Sequence, residues 1–312
     1  MTQDESAGKS LISELRTDAV RSPGKIALPD SDDIRIFKAA DQMLSEGSAA
    51  RIVLMGARDE LLGKASAQGI DLARHGDRLQ VTPVNAGDTA LGMAADMLCA
   101  GDVDAVVAGN ISTTAQVIRA GISGVGLAPG VRTVSGSFIM NKDGQASYLY
   151  ADCGVVIAPT EKQLLDIAAE SVRTWRCVFP RVEPVVAFLS FSTKGSATHE
   201  LQEKTAQVAA KFRELMPDVD SDGEMQFDAA FDATIGHAKA PGSKVPGRAN
   251  CFIFPDLNAG NIAYKITQRL AGFDAYGPIL QGLAKPFCDL SRGSTVADIV
   301  ASSYINLRKA RI

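Results

Sequence analysis

The alternation of short, unbroken apolar runs with segments of helical period most limits the folds open to this chain. KIALP (25–29) leads into residues 32–47, which have an Asp near the start, an Ala/Ile/Phe/Leu face and Gly at the end, the marks of a capped helix. RIVLMG follows at once. DAVVAG (104–109) then feeds NISTTAQVIRAG, VVAFLSFS feeds a long helix over 197–215, and NCFIFPD feeds a helix over 258–270. The apolar runs lack the polar alternation of a strand with one wet face, so each is expected to be covered on both sides. Strands of that kind, each followed by a helix, predict an α/β fold with largely parallel sheets.

Length and turns suggest how this pattern is divided. A chain of 312 residues, 46% hydrophobic and 22% charged, is long enough for two domains. MNKDGQ (140–145) interrupts two apolar runs, and a return crossing fits near 277–282. The expected division is residues 1–140 with 280–312 in a first α/β domain and 141–279 in a second. The longest apolar runs, such as VEPVVAFLSFS (182–192), fall short of the ~20 residues a bilayer span needs, and no basic-then-apolar leader opens the sequence. A cytoplasmic protein with no membrane partner is expected. The five cysteines are odd in number, scattered and mostly inside apolar runs, which fits reduced core residues. A net charge of −4 and a pI near 5.5 argue against a nucleic-acid surface, so an anionic ligand has to be drawn in by a local cluster of Arg and Lys.

Several common site classes are excluded by spacing. The glycines at 124, 126 and 130 do not make GxGxxG, because Pro129 holds the third position, and neither GxxxxGK[ST] nor GxSxG occurs. His75, His199 and His237 are far apart and carry no metal-ligand spacing, so no metal is expected.

The densest chemistry lies in KPFCDLSRGSTVAD (285–298). Ser291, Arg292 and Gly293 place a hydroxyl, a guanidinium and a flexible hinge before an apolar-periodic segment, which suits holding a phosphate or oxyanion at a helix N-terminus. Asp298 follows within one or two turns, although T-x-x-D (295–298) also reads as a capping box. Ser192 and Lys194 lie in STKG, which reads either as a plain exposed turn or as a phosphate-contacting loop. Arg119 reads equally as a solvated charge, and Asn261 and Lys265, four apart, as one polar helix face.

SFSTKGSA (190–197), DGEMQFDAA (222–230), KAPGSKVPGRANCFIFPDLNAGNIAYKITQRLAG (239–272) and GPILQGLAKPFCDLSRGSTVADIV (277–300) closely resemble the phosphate acetyltransferases. GNISTTAQVIRAG and PDSDDIRIFKAA match more loosely. The resemblance implies a homodimer of two-domain, three-layer α/β/α subunits with the active site in an interdomain cleft. It implies transfer of an acetyl group between acetyl phosphate and coenzyme A, with CoA as a substrate and no cofactor held tightly. Ser291 and Arg292 fall on the family's LSRG motif and Asp298 on the aspartate of the following turn, which takes the thiol proton while the serine and arginine steady the developing charge. Arg119 is implied to meet a phosphate, and Ser112, Thr113, Asn261, Lys265 and Gln281 match further positions lining the cleft.

The chemistry so implied has a gap to close. A carboxylate near ~3.9 and a thiol near ~8.5 make proton transfer uphill by roughly 6 kcal/mol, so burial of the acid or a cation beside the thiol is required. One departure stands out: VTPVNAGDTALGMAADM (81–97) has no Arg or Lys, where the acetyltransferases usually carry a basic stretch. This half is more similar to the shorter phosphate butyryltransferases. Three readings stay open: an acetyltransferase, the same mechanism on propionyl or butyryl groups, and a non-catalytic acyl-CoA-sensing module.

Overall fold

The computed structural model describes residues 10–311. From the N-terminal side the elements are α1 (Leu11–Arg21), β1 (Gly24–Leu28), α2 (Ile34–Ser45), β2 (Ala49–Met55), α3 (Arg58–Ala67), β3 (Leu79–Thr82), α4 (Ala90–Ala100), β4 (Ala105–Ala108) and α5 (Thr114–Ala120). There follow β5 (Ser135–Lys142), β6 (Ala146–Ala151), α6 (Glu161–Val178), β7 (Val185–Leu189), α7 (Glu200–Leu215), β8 (Asp220–Met225), α8 (Phe227–Phe231) and α9 (Ala233–Lys239). The chain continues through β9 (Cys251–Ile253), α10 (Leu257–Ala271), β10 (Asp274–Gln281), β11 (Phe287–Asp289) and α11 (Val296–Lys309). Among the described residues, no helix is long and apolar enough to cross a membrane.

Among the described residues, those up to Pro129 together with those from Tyr276 onward form one compact unit. Its five strands run in the order β11-β4-β1-β2-β3, all parallel. Ile26, Leu28, Ile52, Leu54 and Val106 show no exposed surface, because helices cover both faces. Each large side chain so buried contributes about 1.5–3 kcal/mol, which is why these strands read as continuous apolar runs. Helix α11 is buried from Ile299 to Arg308 and packs on α1, α2 and β4. Two of its buried polar side chains bond back along the helix: Ser303 Oγ donates to the Ile299 carbonyl (2.8 Å) and Asn306 Nδ2 to the Ser302 carbonyl (2.8 Å). Arg308 is paired with Asp18 and Glu14 of α1.

Gly130–Ala275 forms the second unit. Its strands run β5-β6-β9-β7-β8, antiparallel between β5 and β6 and parallel thereafter. Aromatic rings fill the face beneath α10: Phe138 stacks on Tyr264 at 4.1 Å between centroids, and Phe252 meets Tyr148 and Tyr150 edge-on. The units divide at Pro129/Gly130 and Ala275/Tyr276, earlier on both counts than the expected 140 and 280. The physical reason is pairing. Residues 142–146 are the turn of the β5–β6 hairpin, whose ladder runs from Phe138↔Tyr150 to Lys142↔Ala146, so the polar MNKDGQ run lies inside a sheet.

Candidate active site

In the first unit, β2 and β3 lie on one side of β1, and β4 and β11 on the other. The strand order therefore reverses between β1 and β4, and the carboxyl ends of parallel strands at such a reversal are where α/β sheets bind ligands. Three loops start there: 29–33 after β1, 109–113 after β4 and 290–295 after β11.

A carboxylate organises the loop after β4. Asp30 Oδ2 accepts the backbone N–H groups of Gly109 (2.8 Å), Ile111 (3.1 Å) and Ser112 (3.1 Å), and its Oδ1 accepts the Ser112 hydroxyl (2.5 Å). The backbone curls around Asp30 as it would around a bound anion. Ser112 is committed to that carboxylate, a different use from the ligand contact expected of it. Thr113 caps α5 in a reciprocal capping box with Gln116, and Arg119 projects exposed from the last turn of that helix.

Asp33 caps α2 and accepts from Arg35 and from Asn110 Nδ2 (3.2 Å). Burial works against its charge, but the hydrogen bonds from Arg35 and Asn110 prevail and hold its carboxyl below the usual range. Arg35 reaches onward: Nη1 donates to the carbonyls of Arg292 (2.8 Å) and Ser294 (2.6 Å), and Nη2 to that of Asn110 (3.2 Å). One guanidinium thus links all three loops, which a planar five-donor group can do and an ammonium cannot.

Ser291, Arg292 and Gly293 are exposed in a turn closed by Ser294 N–H on the Ser291 carbonyl (2.9 Å). The Arg292 guanidinium makes no ion pair or hydrogen bond with the described residues. The helix begins at Val296 with Thr295 as its cap, where the T-x-x-D spacing read a capping box, so the 291–293 turn precedes the helix N-terminus. Asp298 completes the capping box: its Oδ2 accepts Thr295 N–H (2.7 Å) and Oγ–H (2.9 Å), and its own N–H donates to Thr295 Oγ1 (3.2 Å). The carboxyl is half-buried, and its Oδ1 accepts from none of the described residues. Gln281 ends β10, buried.

The remaining candidates belong to the second unit. Ser192 is fully buried and donates to Glu224 Oε1 (3.1 Å), which also accepts Gly195 N–H (2.6 Å). Lys194 is paired with Asp222. The STKG loop is thus tied to its own carboxylates, the state in which the structure holds Ser192 and Lys194. Asn261 Nδ2 donates to the Cys153 carbonyl (3.0 Å), and Lys265 Nζ donates to the Tyr264 hydroxyl (2.7 Å) while remaining exposed. Sequence reasoning missed Arg35, Asp33 and Asn110. The signal was PDSDD, a run of acids at the carboxyl end of a buried strand, where uncompensated charge demands donors.

Residues 77–307 match the profile of the family described as Phosphate acetyl/butaryl transferase. The phosphate acetyltransferase of Paracoccus denitrificans is 41% identical over 304 residues, spanning 92% of this chain and 95% of that protein. That of Thermoanaerobacterium thermosaccharolyticum is 40% identical over 318 residues, spanning 93% and 96%. Among solved structures, a phosphotransacetylase from Streptococcus pyogenes superposes with a TM-score of 0.88 at 33% identity, covering 96% of this chain and 98% of its own. The chain belongs to the phosphate acetyl/butaryl transferase family.

Proposed function

We propose that this protein transfers an acetyl group reversibly between acetyl phosphate and CoA. Asp298 accepts the proton of the CoA thiol, the thiolate forms a bond to the acetyl carbonyl carbon, and the C–O bond to phosphate breaks to release inorganic phosphate. Ser291 and Arg292 steady the oxyanion and the departing phosphate, with Arg119 as a further phosphate contact and Thr113, Asn261, Lys265 and Gln281 lining the substrates.

The observation that carries the reading is the state of Arg292. Its carbonyl is fixed by Arg35 while its guanidinium is unpaired, so a charge is held at the reversal point of the sheet with donors free for phosphate oxygens. Asp298 supports it, since one carboxylate oxygen serves the helix cap and the other is left for a proton. CoA is a substrate here, and the proposed chemistry calls for no resident cofactor or metal. Propionyl and butyryl phosphates are the alternative substrates, favoured by the absence of Arg and Lys from 81–97. A homodimer is proposed, for which Ile262, Ile266 and Leu270 offer exposed apolar surface at helical spacing on α10. A cytoplasmic setting suits five cysteines that all remain free.

The test is acyl-CoA formation from CoA with acetyl, propionyl and butyryl phosphate. The expected result is fastest turnover of acetyl phosphate and a fall of about 10²–10³ in kcat for Arg292→Ala. Inertness of all three acyl phosphates in a protein that still binds acetyl-CoA would overturn the reading.

A further inference from the structure

We propose that Asp289 is a positioning residue: its ionised carboxylate clamps the end of β4 and the first turn of α5 to the backbone that leads into Ser291 and Arg292, and its protonation releases the clamp. The proposal rests on the roles given above to Ser291 and Arg292.

Asp289 is the last residue of β11, fully buried and two residues before Ser291. Its Oδ2 accepts the hydroxyl of Thr114, the first residue of α5 (2.7 Å). Its Oδ1 is buried and has no hydrogen-bond partner among the described residues. Gly109 is pressed against it: a Cβ there would lie 2.2 Å from Oδ1, 2.4 Å from the Leu290 nitrogen and 2.6 Å from the Leu290 carbonyl oxygen. Gly109 also has φ +105°, so both its backbone and its missing side chain suit this contact. A buried acceptor without a donor is a standing cost that an apolar residue at 289 would remove, which points to a use for the carboxylate.

The surroundings make the clamp sensitive to protons. Burial pushes the Asp289 carboxyl up to about 6, against the pull of the Thr114 hydroxyl and the Leu290 amide, and Asp30 adds to the push. Asp30 is the charge that faces it from the loop after β1. Of the elements packed on β11, β4 is AVVA and has no ionisable side chain. Helix α5 brings only the exposed Arg119. Helix α11 brings Asp298 in its cap, Tyr304 bonded to Ser48 and Glu46, Arg308 paired with α1, and Lys309 donating to the Leu280 carbonyl. On β11 itself the Cys288 thiol is pushed by burial to about 12. A proton on Asp289 takes the charge off the group that accepts the Thr114 hydroxyl. That weakens the Thr114 bond and loosens the backbone that sets Ser291 and Arg292.

The experiment is the pH dependence of kcat and KM for acyl-CoA formation between pH 5 and 8, in wild type, Asp289→Asn and Thr114→Val, with circular dichroism as the check on folding. In wild type kcat is expected to fall through a step near pH 6 as Asp289 is protonated. Asp289→Asn resembles the protonated form, so its kcat at pH 8 should drop about tenfold or more with KM little changed, and the step should vanish. Thr114→Val removes a donor that favours the ionised form, and should move the step to higher pH. A step that stays in place in both variants, or an Asp289→Asn protein with wild-type kcat, overturns the proposal. Should Asp289→Asn fail to fold, the Thr114→Val shift alone decides. A wild type inactive on every acyl phosphate would instead overturn the transfer reading beneath it.

Discussion

Asp298 occupies two roles in one geometry, and a pair of substitutions separates them. Replacing it with Asn keeps an oxygen that can accept Thr295 N–H, now at 2.7 Å from Oδ2, and so keeps the core of the capping box. What is lost from the helix is a negative charge in the first turn, worth about 0.3–1 kcal/mol. Thr295→Ala does the reverse: it removes the acceptor of Asp298 N–H, at about 1 kcal/mol, and leaves the carboxylate in place. The buried stretch of α11 from Ile299 to Arg308 keeps the helix docked in both. Urea unfolding should therefore find the two variants similarly and mildly destabilised, by about 1 kcal/mol each. Acyl-CoA formation should split them. Loss of the general base lowers kcat by roughly 10²–10⁴ in Asp298→Asn, while Thr295→Ala stays within about tenfold of wild type. Equal loss of activity in both variants, or none in Asp298→Asn, would mean that Asp298 is a cap alone and that another group takes the thiol proton.

Three further outcomes are expected. Arg35→Ala strips the carbonyls of Arg292, Ser294 and Asn110 of a charged donor; urea unfolding should show a loss of about 2–4 kcal/mol, and Arg35→Lys should restore little of the kcat. Gly109→Ala meets Asp289 and the Leu290 backbone within 2.6 Å at a positive φ, so it should destabilise by about 2–5 kcal/mol, read by thermal unfolding. Asp289 has a carboxyl raised from 3.8 to about 6 in the folded state. At about 1.36 kcal/mol per pH unit this is about 3 kcal/mol of stability, fully present below 3.8 and lost as pH rises through about 6. Asp289→Asn should flatten that part of the stability profile, and an unchanged slope between pH 4 and 7 would contradict the burial argument.

The sheets were legible because burial on both faces writes itself into every residue of a strand. Ile26 to Leu28 and Val106 to Ala108 have no choice of polar side chain, and Asp33 and Gly47 mark the two ends of α2 by capping chemistry confined to a few neighbours. The 140–145 run misled because a polar Asp-Gly turn is the same signal whether it closes a hairpin or links two units; only the Phe138↔Tyr150 ladder decides. In the site, Ser291 and Arg292 could be named from local residues. What holds them could not, since Arg35 and the Arg292 carbonyl are 257 residues apart.

The same limit explains the loops that looked ready for phosphate. A run of Ser, Thr and Gly announces free N–H and O–H donors, but whether they remain free depends on acids elsewhere in the chain. Asp30 takes the donors of the loop after β4, and Glu224 those of the STKG loop. In each case a buried carboxylate fills the curl of backbone that an anion would otherwise occupy. A loop so filled is rigid and electrically closed, and it repels a second anion. Anion recognition then falls to side chains outside these closures, and Arg292, held by its carbonyl and free at its guanidinium, is one of them.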